Sequence, residues 1–342
     1  MIPYSKPFID PRAIKAHNEC LRRGQIDPAE QHERFREALA NFLGVNQQKV
    51  LLTNSCTTAL ALAWRVFDGG AGRKCWVPVL TWPSTYSEMA NRIWYQQTSE
   101  HRSMLASGDI YVHVDLWGHP SRGTSDSSIR CIRDRAQNLT PEYPGCSLHC
   151  YSFGPLKEVT TLRGGALVGN FSEELETFID SGTTGRLLRH PDGRNAQMLE
   201  PHAAMGLIHL ETHSQRRQQR QELVRWYMTQ WTVRSELQLI TDDLDSCHLC
   251  VAIAETHEIR EYAREYLASK GIATGIHYPF PMHLDPKLFP DDYELSRKIL
   301  TLPLHDYLTR RDVEYICHHI RAMLSGLPSS AVLQNWVGSS KQ

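Results

Sequence analysis

Short apolar runs alternate with longer segments of helical periodicity along the first part of the chain. The apolar runs predict strands, and the segments whose apolar residues recur every three or four positions predict helices. The predicted strands span residues 49–53, 74–79, 110–115, 130–133, 148–153 and 165–169. Strands that alternate with helices are typical of βαβ units, so the pattern predicts an α/β fold with a mostly parallel sheet.

Two helices can be bounded from the same pattern. Residues 30–43 carry apolar side chains at helical spacing, with Asp27 as a possible N-cap, Pro28 at the first helical position and Gly44 as the end. One long helical pattern runs over residues 200–231. We expect this helix to join two parts of the chain.

The C-terminal part begins near residue 235 and has its own pattern. It predicts two strands, a helix at 257–271, a strand at 272–278, a Pro-rich loop and two further helices, of which the last spans 309–324. The expected units are a large domain at 1–230, a small α/β domain at 231–328 and a polar tail at 329–342.

Composition narrows the possible classes of protein. A chain of 342 residues corresponds to about two domains at roughly 150 residues each. The formal net charge of −1 gives no electrostatic basis for binding nucleic acid or an anionic membrane. No apolar stretch reaches the roughly 18–20 residues of a membrane span, and the N-terminus lacks the apolar run of a signal peptide. We therefore expect a soluble, cytoplasmic protein.

Nine cysteines are spread along the chain, and free thiols are expected because disulfide frameworks belong mainly to small secreted domains. Cys247 and Cys250 have the CxxC spacing of half a zinc site. A second such pair is missing from the sequence, so a buried strand is the favoured interpretation and no metal is expected.

Polar residues with candidate chemistry follow several predicted strands. Lys157 comes after the strand at 148–153, where lost hydration would lower its pKa and free the amine to form a Schiff base. The alternative is a solvated surface charge. Asp134 follows the strand at 130–133 and could pair with a protonated pyridine nitrogen, while the amide of Gln137 could reach a phenolic oxygen on the same ring. The alternative for Asp134 is the cap of a turn.

Two more segments complete this set. The turn NSCTT at 54–58 could hold a phosphate on the backbone N–H groups of the following helix, or Ser55 or Thr57 could simply cap that helix. Trp82 could stack on a planar cofactor, or it could be a core or lid residue. A phosphate site, a carboxylate, a stacking ring and a lysine are what pyridoxal 5′-phosphate (PLP) requires.

Several motifs together resemble those of the DegT/StrS family of PLP-dependent aminotransferases, which act mainly on keto sugars. In chain order they are NSCTTALALA, VPVLTWPSTY, IRDRAQ, SFGPLK followed by TTLRGGAL, GRNAQMLEPHAAMGL, GIHYPFPMHLDP and LTLPLHDYLTRRDVEYI. The resemblance implies PLP-dependent transferase fold type I, with a seven-stranded type of large sheet, a smaller C-terminal domain, and a homodimer with active sites at the interface.

The resemblance also implies roles for individual residues. Lys157 would be the Schiff-base lysine, Asp134 would pair with the pyridine nitrogen, Gln137 would lie near the ring hydroxyl, and Trp82 would stack on the ring. Thr57, Thr58 and Ser152 would bind the phosphate, and Asn195 would reach the phosphate of the neighbouring subunit. The residues that would border the sugar are His277, Tyr278 and His283.

The chain departs from the family pattern at a few positions. Arg133 and Arg135 stand where an acid and a small residue are usual, Gln197 stands where a basic residue is usual, and the segment between residues 85 and 133 is shorter. In the family this segment helps to shape the mouth of the active site. Its shortening therefore affects the expected substrate more than the expected PLP chemistry.

The predicted function is transfer of an amino group from an amino acid, glutamate or glutamine, to a keto sugar or related ketone. The alternatives are a PLP enzyme that acts on a cyclitol or a small keto acid, and a non-catalytic PLP-binding regulator. A dehydratase is disfavoured by the presence of Lys157, because the dehydratases of the family replace that lysine.

Overall fold

The computed structural model describes residues 1–68, 72–87, 93–96, 108–120, 130–141, 148–185, 187–231, 234–240, 247–329 and 331–333. The helices are α1 Pro11–Arg22, α2 Glu30–Leu43, α3 Cys56–Asp68, α4 Glu174–Ile179, α5 Glu200–Glu211, α6 His213–Gln230, α7 His257–Ser269, α8 Pro290–Lys298 and α9 Arg310–Ser325. The strands are β1 Val50–Thr53, β2 Cys75–Pro78, β3 Ile93–Gln96, β4 Ile110–Val114, β5 Arg130–Asp134, β6 Leu148–Ser152, β7 Gly165–Gly169, β8 Thr183–Thr184, β9 Leu187–Leu188, β10 Leu237–Ile240, β11 Cys250–Ala254 and β12 Ile299–Leu302. All six strands predicted in the first part of the chain are present.

Seven strands form one large sheet in the order β1-β7-β6-β5-β4-β2-β3. β7 runs antiparallel to both of its neighbours, and every other neighbouring pair is parallel. The carboxyl ends of the other six strands therefore lie along one edge, together with the amino end of β7. Ligands of open α/β sheets bind at that edge.

Apolar side chains cover both faces of the large sheet. Odd and even positions of a strand point to opposite faces, and Leu51 packs with α3 on one face while Val50 and Leu52 pack with α2 on the other. Burial on both faces explains why these strands appear in the sequence as continuous apolar runs.

The start of α2 differs from the prediction. Ala29, and not Asp27, is the N-cap, and its side chain makes no capping hydrogen bond. The carboxylate of Glu200 instead accepts hydrogen bonds from the backbone N–H groups of Ala29, Gln31 and His32 at 2.8, 2.7 and 2.9 Å. A carboxylate at a helix N-terminus satisfies donors that have no partner within the helix. The end at Gly44 is as predicted, with φ 73°.

The prediction of one long helix over 200–231 is wrong, because α5 and α6 are separated at Thr212. The end of α5 is fixed to the large-sheet part of the chain, since His209 Nδ1 lies 2.6 Å from the carbonyl of Thr160. α6 is fixed to both parts of the chain, since His213 lies 2.7 Å from Glu158 in the loop after β6 and Arg220 pairs with Asp306 at 2.7 Å. α6 therefore contacts both parts, whereas α5 ends against the large-sheet part.

A second, small sheet has the order β10-β11-β12 with both pairs antiparallel. Side chains of α6, α7 and α9 pack on it in one apolar core. The predicted strand at 272–278 is wrong: Gly275 forms only an isolated bridge to Thr301, and the third strand of this sheet is β12. After that bridge the chain turns toward the large sheet, where the carbonyl of His277 accepts a hydrogen bond from the indole N–H of Trp117.

The sequence predicts a buried strand over the whole CxxC segment at 247–253, and β11 confirms it only from Cys250 onward. Cys247 and Cys250 are buried free thiols. No group of three potential metal ligands occurs among the described residues. Of the cysteines in the described ranges, seven are free, as expected, whereas Cys131 is disulfide-bonded, contrary to the expectation. Within the described ranges, no helix is both long and apolar enough to cross a membrane.

Candidate active site

A cleft of about 560 Å³ opens at the carboxyl edge of the large sheet and is bounded on its other side by residues from the small-sheet part of the chain. Eight of the residues with predicted roles line it, namely Thr57, Trp82, Asp134, Gln137, Ser152, Lys157, His277 and Tyr278. Thr58, Asn195 and His283 are outside the lining.

Lys157 lies in the loop that follows β6, half-buried within the cleft. Its backbone N–H donates to the carbonyl of Gly154 at 3.1 Å, so residues 154–157 form a turn. Burial lowers the pKa of Lys157, although the nearby Cys56, Asp134 and Glu158 oppose this effect. A lysine with a lowered pKa is more often neutral and therefore nucleophilic at neutral pH.

Glu158, the next residue, is buried behind the cleft. Its carboxylate lies 2.7 Å from His213 Nε2 and 3.0 Å from the guanidinium of Arg217. Burial alone would raise the pKa of Glu158, but the hydrogen bond from His213 and the charges of Arg217 and Arg220 outweigh it and hold the pKa well below its ordinary range. Glu158 is thus a fully paired carboxylate.

Asp134 ends β5 and is buried, but its carboxylate has neutral partners. Oδ1 accepts from the backbone N–H of Ala136 at 3.0 Å, and Oδ2 accepts from the hydroxyl of Thr85 at 2.8 Å. Burial raises the pKa of Asp134 despite these bonds and the nearby Lys157. No lysine, arginine or histidine of the described chain forms an ion pair with it. A cationic ring nitrogen in the cleft would supply the missing counter-charge.

Gln137 connects the large-sheet and small-sheet sides of the cleft by two hydrogen bonds. Its Oε1 accepts from the backbone N–H of Trp117 at 2.6 Å, and its Nε2 donates to the hydroxyl of Tyr278. Burial raises the pKa of Tyr278, so this hydroxyl stays protonated. The amide is therefore held from both ends in one orientation.

The two unusual arginines beside Asp134 do not line the cleft. Both are buried against Asp115, with Arg133 Nε 2.8 Å from Oδ1 and Arg135 Nε 3.4 Å from Oδ2. The side-chain N–H of Asn138 also donates to Asp115, at 2.9 Å. The family pattern has no arginine at positions 133 and 135. In this chain, Asp115 supplies the negative charge that lies between these two arginines.

The turn before α3 contains one backbone N–H group that a side chain caps and two described N–H groups without an acceptor. Ser55 Oγ accepts from the backbone N–H of Thr58 at 3.2 Å, so the capping interpretation is correct for Ser55. Within the described residues, the backbone N–H groups of Cys56 and Thr57 have no hydrogen-bond acceptor, and both residues line the cleft. These donors fit a phosphate. A Cβ on Gly165 would lie 2.4 Å from the nitrogen of Cys56, so only glycine allows β7 this close to the turn.

Three predicted site residues have other surroundings. The hydroxyl of Thr58 donates to Asn54 Oδ1 at 2.7 Å, within the turn. His283 Nε2 lies 2.8 Å from the hydroxyl of Tyr95, beside the ring of Tyr86. Asn195 is exposed and forms an isolated bridge with Asp180.

Trp82 is 58% exposed at the mouth of the cleft, and its ring centroid lies 6.0 Å from that of Tyr278. Such a large exposed aromatic face is available for stacking on a planar ligand. Free donors, an unpaired buried carboxylate, an aromatic face and a lysine of lowered pKa thus line one cleft, and they fit PLP.

The residues that line the cleft without a role predicted from the sequence include Arg163 and His248. Arg163 lies in the quoted motif TTLRGGAL, where its charge was a usable signal. His248 lies between Cys247 and Cys250, and the sequence carries no separate signal for it.

Comparison with known proteins agrees with this geometry. The model of the DegT/DnrJ/EryC1/StrS aminotransferase family matches residues 7–93 and 123–321. A UDP-4-amino-4,6-dideoxy-N-acetyl-beta-L-altrosamine transaminase of Campylobacter jejuni is 25% identical over 92% of this chain and 96% of its own. A dTDP-3-amino-3,4,6-trideoxy-alpha-D-glucose transaminase of Streptomyces venezuelae is 24% identical over 75% of this chain and 78% of its own.

Solved structures are similar in fold. The PLP form of the putative sugar aminotransferase Spr1654 from Streptococcus pneumoniae superposes with a TM-score of 0.85, at 21% identity, over 96% of this chain and 100% of its own. The aminotransferase PseC of Helicobacter pylori superposes with a TM-score of 0.83, at 22% identity, over 95% of this chain and 100% of its own. The predicted fold class, enzyme class and cofactor are therefore confirmed, and the chain belongs to the DegT/DnrJ/EryC1/StrS aminotransferase family.

Proposed function

We propose that this chain uses PLP to transfer an amino group from glutamate or glutamine to a keto sugar. The observation that carries the proposal is the presence of Lys157 and Asp134 in one cleft, with free backbone donors at the start of α3. The relatives named for UDP- and dTDP-linked amino sugars support a nucleotide-linked acceptor.

When bound, PLP supplies an aldehyde that captures amino groups and a ring that withdraws electrons from the substrate. Lys157 Nζ would hold the cofactor and, once released, move a proton from the α-carbon of the donor as general base and then act as general acid. Asp134 would keep the ring nitrogen protonated. Gln137 would orient the PLP ring by a hydrogen bond to the hydroxyl of that ring, and Trp82 would stack on the face of the ring.

The phosphate would be bound at the start of α3, by the backbone N–H groups of Cys56 and Thr57 and by the hydroxyls of Thr57 and Ser152. His277 and Tyr278, on the small-sheet side of the cleft, would border the sugar. Thr58 would support the turn from within, because its hydroxyl is bonded to Asn54. His283 lies outside the cleft lining, so any effect of His283 on the sugar would be less direct than that of His277 and Tyr278.

We also propose that the enzyme is a cytoplasmic homodimer. Asn195 is exposed and outside the cleft of its own chain, which is consistent with a contact to the phosphate site of a neighbouring subunit. The proposed domains are residues 1–230 and 231–328, with a tail at 329–342.

The decisive test is Lys157→Arg. The wild-type protein, incubated with PLP, should absorb visible light through the lysine-bound cofactor, and this absorbance and all transamination should be lost in the variant. Lys49→Arg is the matched control, because Lys49 is exposed and distant from the cleft lining.

Normal turnover by Lys157→Arg would refute the assignment of Lys157. A wild-type protein that takes up PLP but processes no amino donor would favour the non-catalytic regulator. A panel of nucleotide-linked keto sugars, cyclitol ketones and small keto acids distinguishes the acceptor classes.

A further inference from the structure

Arg163 and His248 line the cleft from opposite sides, and neither has a role in the mechanism above. Arg163 comes from the loop before β7 of the large sheet. His248 comes from the segment before β11 of the small sheet. Their chemistry differs, since one is a permanent cation and the other is a buried imidazole.

Arg163 is an exposed guanidinium without a carboxylate partner in the described part of the chain. Apart from Lys157, it is the only lysine or arginine among the described residues that line the cleft. A planar guanidinium matches a carboxylate through two parallel hydrogen bonds, so this side chain suits an acidic ligand.

The loop that carries Arg163 is fixed in place. The hydroxyl of Thr161 donates to the carbonyl of Arg163 at 2.9 Å, and the N–H of Leu162 donates to Thr160 Oγ1 at 3.1 Å. Leu162 has φ 67°, a left-handed conformation that is strained for a residue with a Cβ. Strain of this kind persists where the surroundings enforce it, and it clusters at ligand sites.

His248 is only 6% exposed, yet it lines the cleft. None of the described residues forms a hydrogen bond with its ring, although buried polar groups are normally satisfied. Burial, together with the nearby charge of Lys157, lowers the pKa of His248 well below its ordinary value, so the imidazole is neutral. A neutral imidazole offers one donor and one acceptor but no charge.

The neighbour of His248 on this side of the cleft is also uncharged. His277 Nδ1 lies 2.9 Å from the hydroxyl of Thr301, and burial lowers its pKa to about 4. The small-sheet side therefore presents two neutral imidazoles, whereas the large-sheet side presents the free cation. Hydroxyl groups suit the first surface, and a carboxylate suits the second.

We propose that the cleft distinguishes its two substrates with these two residues: Arg163 binds the carboxylate of the amino donor, and His248 forms a hydrogen bond with a hydroxyl of the acceptor's sugar ring. The inference rests on the proposed function. In that reaction the donor and the acceptor occupy one cleft in turn, so a charged and a neutral recognition surface can serve each in its own half-reaction.

The test separates the half-reactions in the holoenzyme by single-turnover spectroscopy. The PLP form is mixed with glutamate, and the pyridoxamine phosphate form is mixed with a panel of UDP-linked 4-keto sugars. Arg163→Gln should weaken the apparent affinity for glutamate by about 10- to 100-fold, the range for a charged hydrogen-bonded pair, and should change the sugar step by less than about threefold. Arg311→Gln, an exposed arginine on α9, is the control.

His248→Phe should show the reverse pattern, with the sugar step weakened about tenfold or more and the glutamate step unchanged. His248→Asn keeps a neutral hydrogen-bonding group, should recover part of the sugar step, and replaces the Phe variant if that protein does not fold. Calorimetric binding of glutarate, which lacks the amine, gives a readout independent of turnover and should be weakened only by Arg163→Gln.

Several results would overturn the inference. If Arg163→Gln weakens PLP binding, Arg163 holds the phosphate of the cofactor; if it weakens only the sugar step, the anion belongs to the acceptor. Equal losses in both half-reactions would show that the two surfaces are not distinct. An unchanged sugar step in His248→Phe refutes the role of His248. Failure of the proposed function looks different, because the wild type itself would then form no pyridoxamine phosphate with any donor or would transfer the amino group to no keto sugar.

Discussion

Glu158 and Asp134 are both buried carboxylates near Lys157, but their surroundings differ. Glu158 is paired with His213 and Arg217, and its pKa is held below the ordinary range. Asp134 accepts hydrogen bonds only from a hydroxyl and a backbone amide, and its pKa is raised. Similar burial therefore produces opposite shifts, because only Glu158 forms close ion pairs, whereas the more distant charge of Lys157 does not outweigh the burial of Asp134.

The difference separates a structural charge from a functional one. A buried ion pair costs desolvation, but once present it makes each partner depend on the other. A buried carboxylate without a cation costs free energy in the protein alone, and it becomes favourable only when a ligand brings positive charge. Asp134 fits that second description, and Glu158 fits the first.

The largest expected effect is on catalysis by Asp134→Asn. The amide cannot stabilise a cationic ring nitrogen, so transamination should fall by about 10²- to 10³-fold or more. The thermal midpoint of the apoprotein should stay unchanged or rise, because an unpaired buried carboxylate is removed. Asp192→Asn, at an exposed carboxylate that pairs with Arg65, is the control. Full activity in Asp134→Asn would remove the distinction between the two carboxylates.

Glu158→Gln should have its main effect on stability. It removes the buried carboxylate charge that pairs with Arg217 and His213, which should lower the free energy of unfolding by about 3–5 kcal/mol. Glu19→Gln, which breaks exposed pairs with Arg22 and Arg23, should cost under about 1 kcal/mol. Chemical denaturation of the apoprotein measures both.

The effect of Glu158 should also depend on pH. Because its folded pKa lies below its ordinary value of 4.5, the unfolded state binds more protons between these two values. The stabilisation is therefore complete above pH 4.5 and decreases as the pH falls toward the folded pKa. The difference between wild type and Glu158→Gln should shrink on acidification from about pH 5 to pH 3. A constant difference would contradict the pairing.

The smallest expected effect is that of Thr85→Val, which removes the hydroxyl donor to Asp134 and retains the shape of the side chain. The carboxylate loses one neutral hydrogen bond, so the affinity for PLP should fall by about 2- to 10-fold. Fluorescence titration of the apoprotein with PLP measures it. Thr229→Val, which removes an exposed hydroxyl on α6, should leave the affinity unchanged.

Local patterns in the sequence predicted much of this structure. The apolar runs identified the strands of the first part, and residues directly after parallel strands, such as Lys157 and Asp134, necessarily meet at one edge of the sheet. Other features depend on contacts between distant residues. The cap of α2 comes from Glu200, the end of α5 is fixed by the contact of His209 with the Thr160 carbonyl, and His248 lines the cleft from the small-sheet part of the chain.

Gly165 of β7 pairs with Ser152 of β6, so the two ends of the loop between these strands are held together. Lys157 and Arg163 both lie on this loop. Inserting or deleting residues there would shift the nucleophile and the guanidinium together. A protein engineer who wants new substrate preference with intact chemistry should therefore exchange side chains on this segment and leave its length alone.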